Sequence, residues 1–425
     1  MLYERWRQVA RVCPDAIALR DLASDRQWTF RELDRESERD GEEGPIAFPR
    51  GVCADFVLTV LRAWRRGQVV CPLESDQSPP DIKAPPPEGV AHFKTTSATT
   101  GVPRMIAFTA SQLMADAESV VATMGLRPDW PNVGVISLAH SYGFSNLVLP
   151  LLLHGIPLIL VPAPLPELVK RAAALERNVT LAAVPALWRT WHDADAIPSS
   201  VRLAITAGAP LPLALEQSVF ALRGLKIHNF YGSSECGGIA YDATAGPRTE
   251  SSCVGAPMKG VSLSLAEDGC LEVRSPAVGM TYWPEPSPNL GNGVFRTGDL
   301  AEISYGLVYL RGRATDQINV AGRKVSPETI ERALMSHPAV ADCLVFGAPV
   351  DDAQRSEIIV ACVVAGPGGD EIQLRQYLLE RLPAWQVPRE WWWVDSLGTN
   401  SRGKLSRAEW RRRFLEQGAE REEVP

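Results

Sequence analysis

The sequence predicts an α/β protein: a large N-terminal domain of parallel-rich sheets layered with helices, a small β subdomain, and a small mobile α+β domain at the C-terminal end. Three observations predict it. Short apolar runs alternate with helical stretches between residues 104 and 240; the texture changes to short strands with Gly, Pro and Asn turns from 253 to 311; and after Gly312-Arg313 a new strand–helix pattern begins. Alternating strand and helix signals argue for a largely parallel sheet.

Taken in order, residues 1–75 mix helical and strand-like pieces. Thr29 stands three residues before Glu32, the spacing of a capping box. Residues 76–89 (SDQSPPDIKAPPPE) are polar and proline-rich, and read as a linker or surface loop. Apolar runs at 133–138, 157–161, 180–184 and 201–206 read as strands, with helices over 111–124, 164–176 and 211–223 between them. Leu147 to Pro162 is apolar but broken by His154, Gly155 and two prolines, so it reads as a buried helix, a turn and a strand instead of a membrane span. Beyond residue 316 the expected order is strand, helix (327–336), strand (339–347), strand (357–365), helix (371–382) and a basic tail. The predicted domains are 1–312, a hinge at 313–317, and 318–425.

Composition bounds the function. The chain has 425 residues, 45% hydrophobic and 22% charged, enough for two or three domains. A net charge of −7 carries none of the basic footprint of a nucleic-acid binder. An acidic protein that handles anionic substrates has to supply local positive charge. The eight cysteines include no C-x-x-C pair, and the even spacing of Cys236, Cys253 and Cys270 fits no metal-ligand pattern, so they read as packing residues of a reducing compartment. The polar N-terminus lacks an apolar signal core, and the expected location is the cytoplasm.

Five ordered segments carry the chemistry. Thr95-Thr96-Ser97-Ala98-Thr99-Thr100-Gly101-Val102-Pro103-Arg104 puts hydroxyls, a glycine and a cation in one turn. Hydroxyl and backbone N–H donors surround a polyphosphate without burying net charge, and a cation screens it. A Ser/Thr surface turn is the plain alternative, and the Walker pattern G-x-x-x-x-G-K-[ST] is absent. The others are Tyr231-Gly232-Ser233-Ser234-Glu235, Phe295-Arg296-Thr297-Gly298-Asp299-Leu300, Gly312-Arg313 leading to Gly322, and Gly403-Lys404 near the end. Singly, each has a bland reading as a turn or strand end.

In this order they resemble the adenylate-forming superfamily of acyl-CoA synthetases, aryl-CoA ligases and peptide-synthetase adenylation domains. The phosphate loop there usually reads S-G-[ST]-T-G-x-P-K; here Ala98 replaces a glycine and Arg104 a lysine. The resemblance implies that Thr96, Ser97, Thr99, Thr100, Gly101 and Arg104 hold phosphates. It implies that Tyr231 stacks on adenine beside Gly232, with the Gly208-Ala209-Pro210 turn passing beneath. Ser234 would contact the α-phosphate, Glu235 would help hold Mg²⁺, and Asp299 and Arg313 would reach the ribose. His140, Tyr142, Gly143 and Phe144, with Ala207 and Gly232, would shape the acid pocket, where His140 gates the cavity or touches the carboxylate; a hydrogen-bonded core histidine is the other reading. Thr315, or its neighbour Asp316, would be the hinge, and Gly322 would line a thiol tunnel. Lys404 would bridge the acid's carboxylate and the α-phosphate.

The implied reaction is ATP- and Mg²⁺-dependent activation of a carboxylic acid, aryl or acyl, followed by transfer to the phosphopantetheine thiol of CoA or of an acyl carrier protein. The stretch 137–146 lacks the aspartate with which amino-acid-activating relatives pair an α-ammonium. Two alternatives stay open: an amino-acid-activating enzyme, and a non-catalytic nucleotide-binding homologue. The stretch before the phosphate loop is shorter than relatives usually have. Arg407, Arg411, Arg412 and Arg413 would suit an acidic carrier helix or CoA phosphates; a solvated helix face explains them equally well.

Overall fold

The computed structural model describes residues 1–41, 43–82, 84–95, 104–352, 355–398 and 406–422, with side-chain surroundings for all of these except 350–356 and 418–422. The chain divides into two compact units. The first comprises Met1–Ala266, Glu272–Thr297 and Ile303–Tyr309; the second comprises Glu267–Leu271, Gly298–Glu302 and Leu310–Pro425.

In the first unit, one sheet runs in the order Arg26–Thr29, Ile17–Asp21, Leu158–Leu160, Asn132–Gly134, Val179–Ala183, Val201–Thr206, Ile227–Ser233, Gly237–Tyr241, Cys253–Pro257. The pairings from Ile17–Asp21 through to Ile227–Ser233 are all parallel. Such strands are covered on both faces and so read as unbroken apolar runs, and every residue of Val179–Ala183 is buried. The connecting helices close as their sequences direct. Thr29 caps Phe30–Ser37 with Glu32 in a complete capping box, and Thr109 with Gln112 does the same for Ala110–Met124. Leu149–His154 and Leu158–Leu160 are the expected buried helix and strand.

A second, five-stranded sheet in this unit runs in the order Thr281–Trp283, Met105–Thr109, Val90–Thr95, Val69–Val70, Ile46–Ala47. Thr281–Trp283 comes from the β-rich stretch after 253, yet it pairs with Met105–Thr109, far back in the chain. The unit's largest fully buried side chains are Trp6, Trp188, Trp191, Phe56, Phe93, Phe108 and Phe144.

The second unit holds a sheet of Val340–Asp352, Arg355–Ala365 and Glu390–Trp393, with helices Pro327–Met335 and Glu371–Leu379. Ile330, Leu334, Val345, Ile359, Ala361, Val363, Leu374 and Leu378 form its core. The basic tail is ordered as a helix, Arg407–Glu422, whose Trp410 packs on Trp392. Among the described residues no helix is long and apolar enough to cross a membrane. All eight cysteines are unpaired; five are buried, and burial pushes the Cys236 thiol up to about 12, as suits a packing residue.

Candidate active site

In an open parallel sheet, ligands bind outside the carboxyl ends of the strands. The sequence motifs of the first unit lie at that edge. Val201–Thr206 leads into Ala207-Gly208-Ala209-Pro210, and its neighbour Ile227–Ser233 carries Tyr231 and Gly232 into the Ser234-Glu235 turn. Asn132–Gly134, two strands away, leads to His140 and Tyr142. Ala207 is buried, whereas Gly208, Ala209 and Pro210 are exposed at the turn.

The segment from Ser137 to Val148 is held by contact as much as by helix propensity. Ser141–Gly143 is a short helical turn that passes into a π-helical stretch, Phe144–Val148. A π-turn costs regular hydrogen bonding and is frequent at functional sites. Gly143 admits no side chain, since a Cβ there would lie 1.9 Å from the Ser137 carbonyl oxygen. The Tyr142 hydroxyl donates to the Ile205 carbonyl at 3.3 Å and its ring lies 5.9 Å from that of Phe230, while Phe144 packs 4.3 Å from His92. His140 Nε2 sits 3.1 Å from Glu74 Oε1, which also accepts the Ser137 hydroxyl at 2.5 Å.

Glu235 lies on a turn between antiparallel strands, with a register irregularity at Tyr231/Gly232. The Tyr282 hydroxyl donates to Glu235 Oε1 at 3.0 Å, and the Arg104 guanidinium stands 5.8 Å from the Tyr282 ring centre. Burial and the adjacent Glu235 charge raise the Tyr282 phenol well above its ordinary value, so it remains a donor. Two residues past Glu235, Gly237 adopts φ +68°, and a Cβ there would meet Asp116 Oδ1 at 2.1 Å. Asp116 is buried. It accepts the Ser145 hydroxyl at 2.5 Å and the Gly238 amide at 3.4 Å, and its Oδ2 lies 3.5 Å from Lys94 Nζ, which is buried too. One carboxylate thus ties the Phe144–Val148 stretch, the strand Val90–Thr95 and the turn after Glu235 together.

A carboxylate oxygen is a suitable ligand for Mg²⁺, which keeps most of its shell as water and phosphate. Glu235 fits that need. Among the described residues no group of three or more His, Cys, Asp or Glu gathers as a dedicated metal cage.

In the second unit, Arg313 Nε donates to Asp299 Oδ1 at 3.1 Å. The preceding Gly312 has φ +126°, and a Cβ there would lie 2.0 Å from Ser326 Oγ. Thr315 and Asp316 form part of a 3₁₀ turn, Ala314–Asp316, with the Thr315 hydroxyl on Asp316 Oδ1 at 3.1 Å. Gly322 follows Ala321 in a two-residue hairpin between Ile318–Val320 and Arg323–Val325. Both turn residues have positive φ, which explains the glycine locally. Arg407 differs from its expected role. Its guanidinium contacts Asp316 at 3.0 Å, Glu328 at 2.9 Å and Glu331 at 2.8 Å, and donates to the Val345 carbonyl at 3.1 Å. It is committed to this unit's own carboxylates and is no part of a cationic docking face. Thr96, Ser97, Thr99, Thr100, Gly101 and Lys404 lie outside the described residues.

The AMP-binding enzyme family model matches residues 53–283, and the AMP-binding enzyme C-terminal domain matches 329–404. The chain belongs to the AMP-binding enzyme family. Within it, the chain is 30% identical over 366 residues to a feruloyl-CoA synthase of Amycolatopsis sp, covering 80% of this chain and 73% of that one. It is 28% identical over 419 residues to an anthranilate–CoA ligase of Pseudomonas aeruginosa, covering 93% and 79%. The fold matches an O-succinylbenzoate coenzyme A synthetase from Bacillus subtilis in complex with AMP, with a TM-score of 0.80, 22% identity, and 95% and 97% of the two chains covered. The chain is thus an adenylate-forming enzyme of the acyl/aryl-CoA ligase group, an acid–thiol ligase.

Four side chains in this family member escaped sequence reading: Glu74, Lys94, Asp116 and Tyr282. Lys94 alone left a trace, a lysine inside the otherwise strand-like Val90–Thr95. The others meet partners that are remote in sequence and carry no local pattern.

Proposed function

We propose that this enzyme activates an aryl acid with ATP to an acyl-adenylate and then transfers the acyl group to the thiol of CoA. The observation that carries the reading is the convergence of the His140–Phe144 segment, the Ala207–Pro210 turn and the Tyr231–Glu235 turn at one edge of parallel strands. Tyr142, Phe230 and the buried Ala207 offer flat apolar surface, which suits a ring. Among the three relatives, one is named for ferulate, one for anthranilate and one for O-succinylbenzoate.

In the first half-reaction a carboxylate oxygen attacks the α-phosphorus and pyrophosphate leaves. In the second the thiol attacks the acyl carbonyl and AMP leaves. Anion meets anion in the first step, so positive charge must be supplied where the oxygens align. Lys404 and Arg104 supply it in this reading, and Glu235 holds Mg²⁺, which screens the phosphates when bound. Tyr231 packs against adenine, Ser234 meets the α-phosphate, and Asp299 accepts from the ribose hydroxyls with Arg313 fixing its orientation. Thr315 and Asp316 form the hinge between residues 1–312 and 318–425. Gly322 borders the thiol's path.

Glu74 is the carboxylate at the acid-pocket segment, but the Ser137 hydroxyl and His140 engage it, which leaves it poorly placed to pair an α-ammonium. The reading is tested by ATP–pyrophosphate exchange and hydroxamate trapping across benzoates, cinnamates, fatty acids and amino acids, followed by competition between CoA and a phosphopantetheinylated carrier protein. Exchange with benzoates or cinnamates and thioester formation on CoA are expected. An enzyme inert toward every acid supports a nucleotide-binding homologue instead, and preference for the carrier refutes CoA as acceptor.

A further inference from the structure

The exposed residues Gly208, Ala209 and Pro210 lie between two buried residues, Ile205 and Leu211, whose carbonyls are both held by side chains from elsewhere. At the entry, the Ile205 carbonyl accepts Trp188 Nε1–H at 3.1 Å and the Tyr142 hydroxyl at 3.3 Å. At the exit, the Leu211 carbonyl accepts Arg248 Nη2–H at 2.8 Å. Arg248 belongs to no motif. It comes from the loop between Gly237–Tyr241 and Cys253–Pro257, and its side chain is 3% exposed. Its Nε donates to Glu216 Oε2 at 2.9 Å, Nη1 donates to the Cys253 carbonyl at 2.8 Å, and its backbone amide donates to Glu216 Oε1 at 3.0 Å. Glu216, on the helix Leu213–Arg223, also meets Lys226, which pairs with Asp242 at 2.6 Å. All four charged residues are buried, and their charges cancel.

We infer that Arg248 is a positioning residue for nucleotide binding: by holding Leu211 it orders the Gly208-Ala209-Pro210 turn before ATP arrives. The inference rests on the function proposed above, with this turn passing beneath adenine. A buried ion network contributes little net stability, because desolvation offsets the attraction. What this one contributes is geometry. The guanidinium is a rigid planar fork, so it keeps the Glu216 carboxylate and the Leu211 carbonyl at a set separation, and the chain from the turn into its helix is drawn to one path. The turn needs such an anchor. Gly208 has φ +88°, which glycine adopts without strain, but the same freedom gives an untethered turn many alternatives. A loop ordered in advance spares the ligand the cost of ordering it. Arg248 acts through Leu211 and, in this role, touches no nucleotide.

The test measures ATP binding by calorimetry in the full-length enzyme without acid, and then KM for ATP and for the acid. Arg248→Lys keeps a charge beside Glu216 but lacks the fork that also spans to Leu211. It is expected to weaken ATP binding roughly tenfold, the usual effect of losing a charged hydrogen bond, with KM for the acid unchanged. Arg248→Met/Glu216→Gln removes the same donor while Lys226 still faces Asp242, so no buried charge is stranded. It should show the same loss, and it carries the test if the lysine variant does not fold. Amide exchange at residues 207–213 should rise in both variants and stay slow at 179–183. ATP binding as tight as in the wild type, or equal rises in both KM values, would overturn the inference. A wild-type enzyme that binds no ATP sinks the functional reading instead. Exchange at 207–213 then still reports on Arg248 alone, and unchanged exchange in both variants refutes its hold on the turn.

Discussion

The close-packed turns of the first unit and the tail helix of the second are held by opposite means. At Gly143, Gly232 and Gly237 the backbone approaches other atoms so closely that a Cβ would fall 1.9, 2.6 and 2.1 Å from its neighbour. Those turns are fixed by shape. Arg407, the residue closest to the lysine-bearing stretch that is tied down strongly, is held by charge: three carboxylates and a carbonyl converge on it. Shape is all-or-none and indifferent to salt. An ion-pair node can be loosened by degrees, which would suit the proposed movement of this segment between half-reactions.

The largest effect expected separates the two regions by chemistry. Lys404→Ala should lower ATP–pyrophosphate exchange by about 10²–10³, the usual effect of removing a preorganised charge, while thioester formation from supplied acyl-AMP is largely retained. Equal losses in both half-reactions would show that the lysine does not act on the first alone.

Next is Gly143→Ala, which should cost about 3 kcal/mol through overpacking and be read as a lower urea midpoint in the first unit. An unchanged midpoint means the Ser137–Gly143 approach relaxes cheaply. Arg407→Ala should cost a comparable amount, about 3 kcal/mol, because it strands Glu331, whose carboxyl burial already raises above its usual range. Amide exchange should rise in residues 318–393 and stay slow in 179–206. Arg407→Lys, lacking the planar fork, should fall between.

Smaller effects refine the first unit alone. Tyr282→Phe removes the donor on Glu235 Oε1 and should raise the half-saturating Mg²⁺ concentration about fivefold, with KM for the acid unchanged. Finally, burial, helped by the Lys94 charge, holds His92 well below its ordinary value, so the native state refuses a proton that the unfolded chain accepts. Stability should therefore fall as pH drops below about 6.5, by up to about 1.4 kcal/mol per pH unit from this group, and His92→Phe should flatten that slope. His154 and His228, also lowered, contribute in the same direction.

The architecture was legible in the sequence because periodicity and capping are local. The helix at 111–124 is observed as Ala110–Met124, the strand at 201–206 as Val201–Thr206, and Thr29 caps its helix with Glu32. The motif residues at the sheet edge were legible too, since each sits in a short ordered string. What escaped depends on contacts between distant segments: Glu74 meets His140, Asp116 meets Ser145 and Gly238, and Tyr282 meets Glu235. The cluster of arginines in the tail was visible, but Asp316, Glu328 and Glu331 as the partners of Arg407 were not. Charge is written in composition, whereas its partners depend on the fold.

Asp116 has a practical consequence for anyone who wishes to re-tailor this scaffold. Its two oxygens serve the π-turn Phe144–Val148, through Ser145, and the loop after Glu235, through Gly238. Library changes at Ser145 or its neighbours, made to admit a bulkier ring, will tug on the Glu235 turn, proposed to hold Mg²⁺, through that shared anchor. Screens for altered scope should therefore titrate magnesium alongside each new acid, or improved fit will be mistaken for lost turnover.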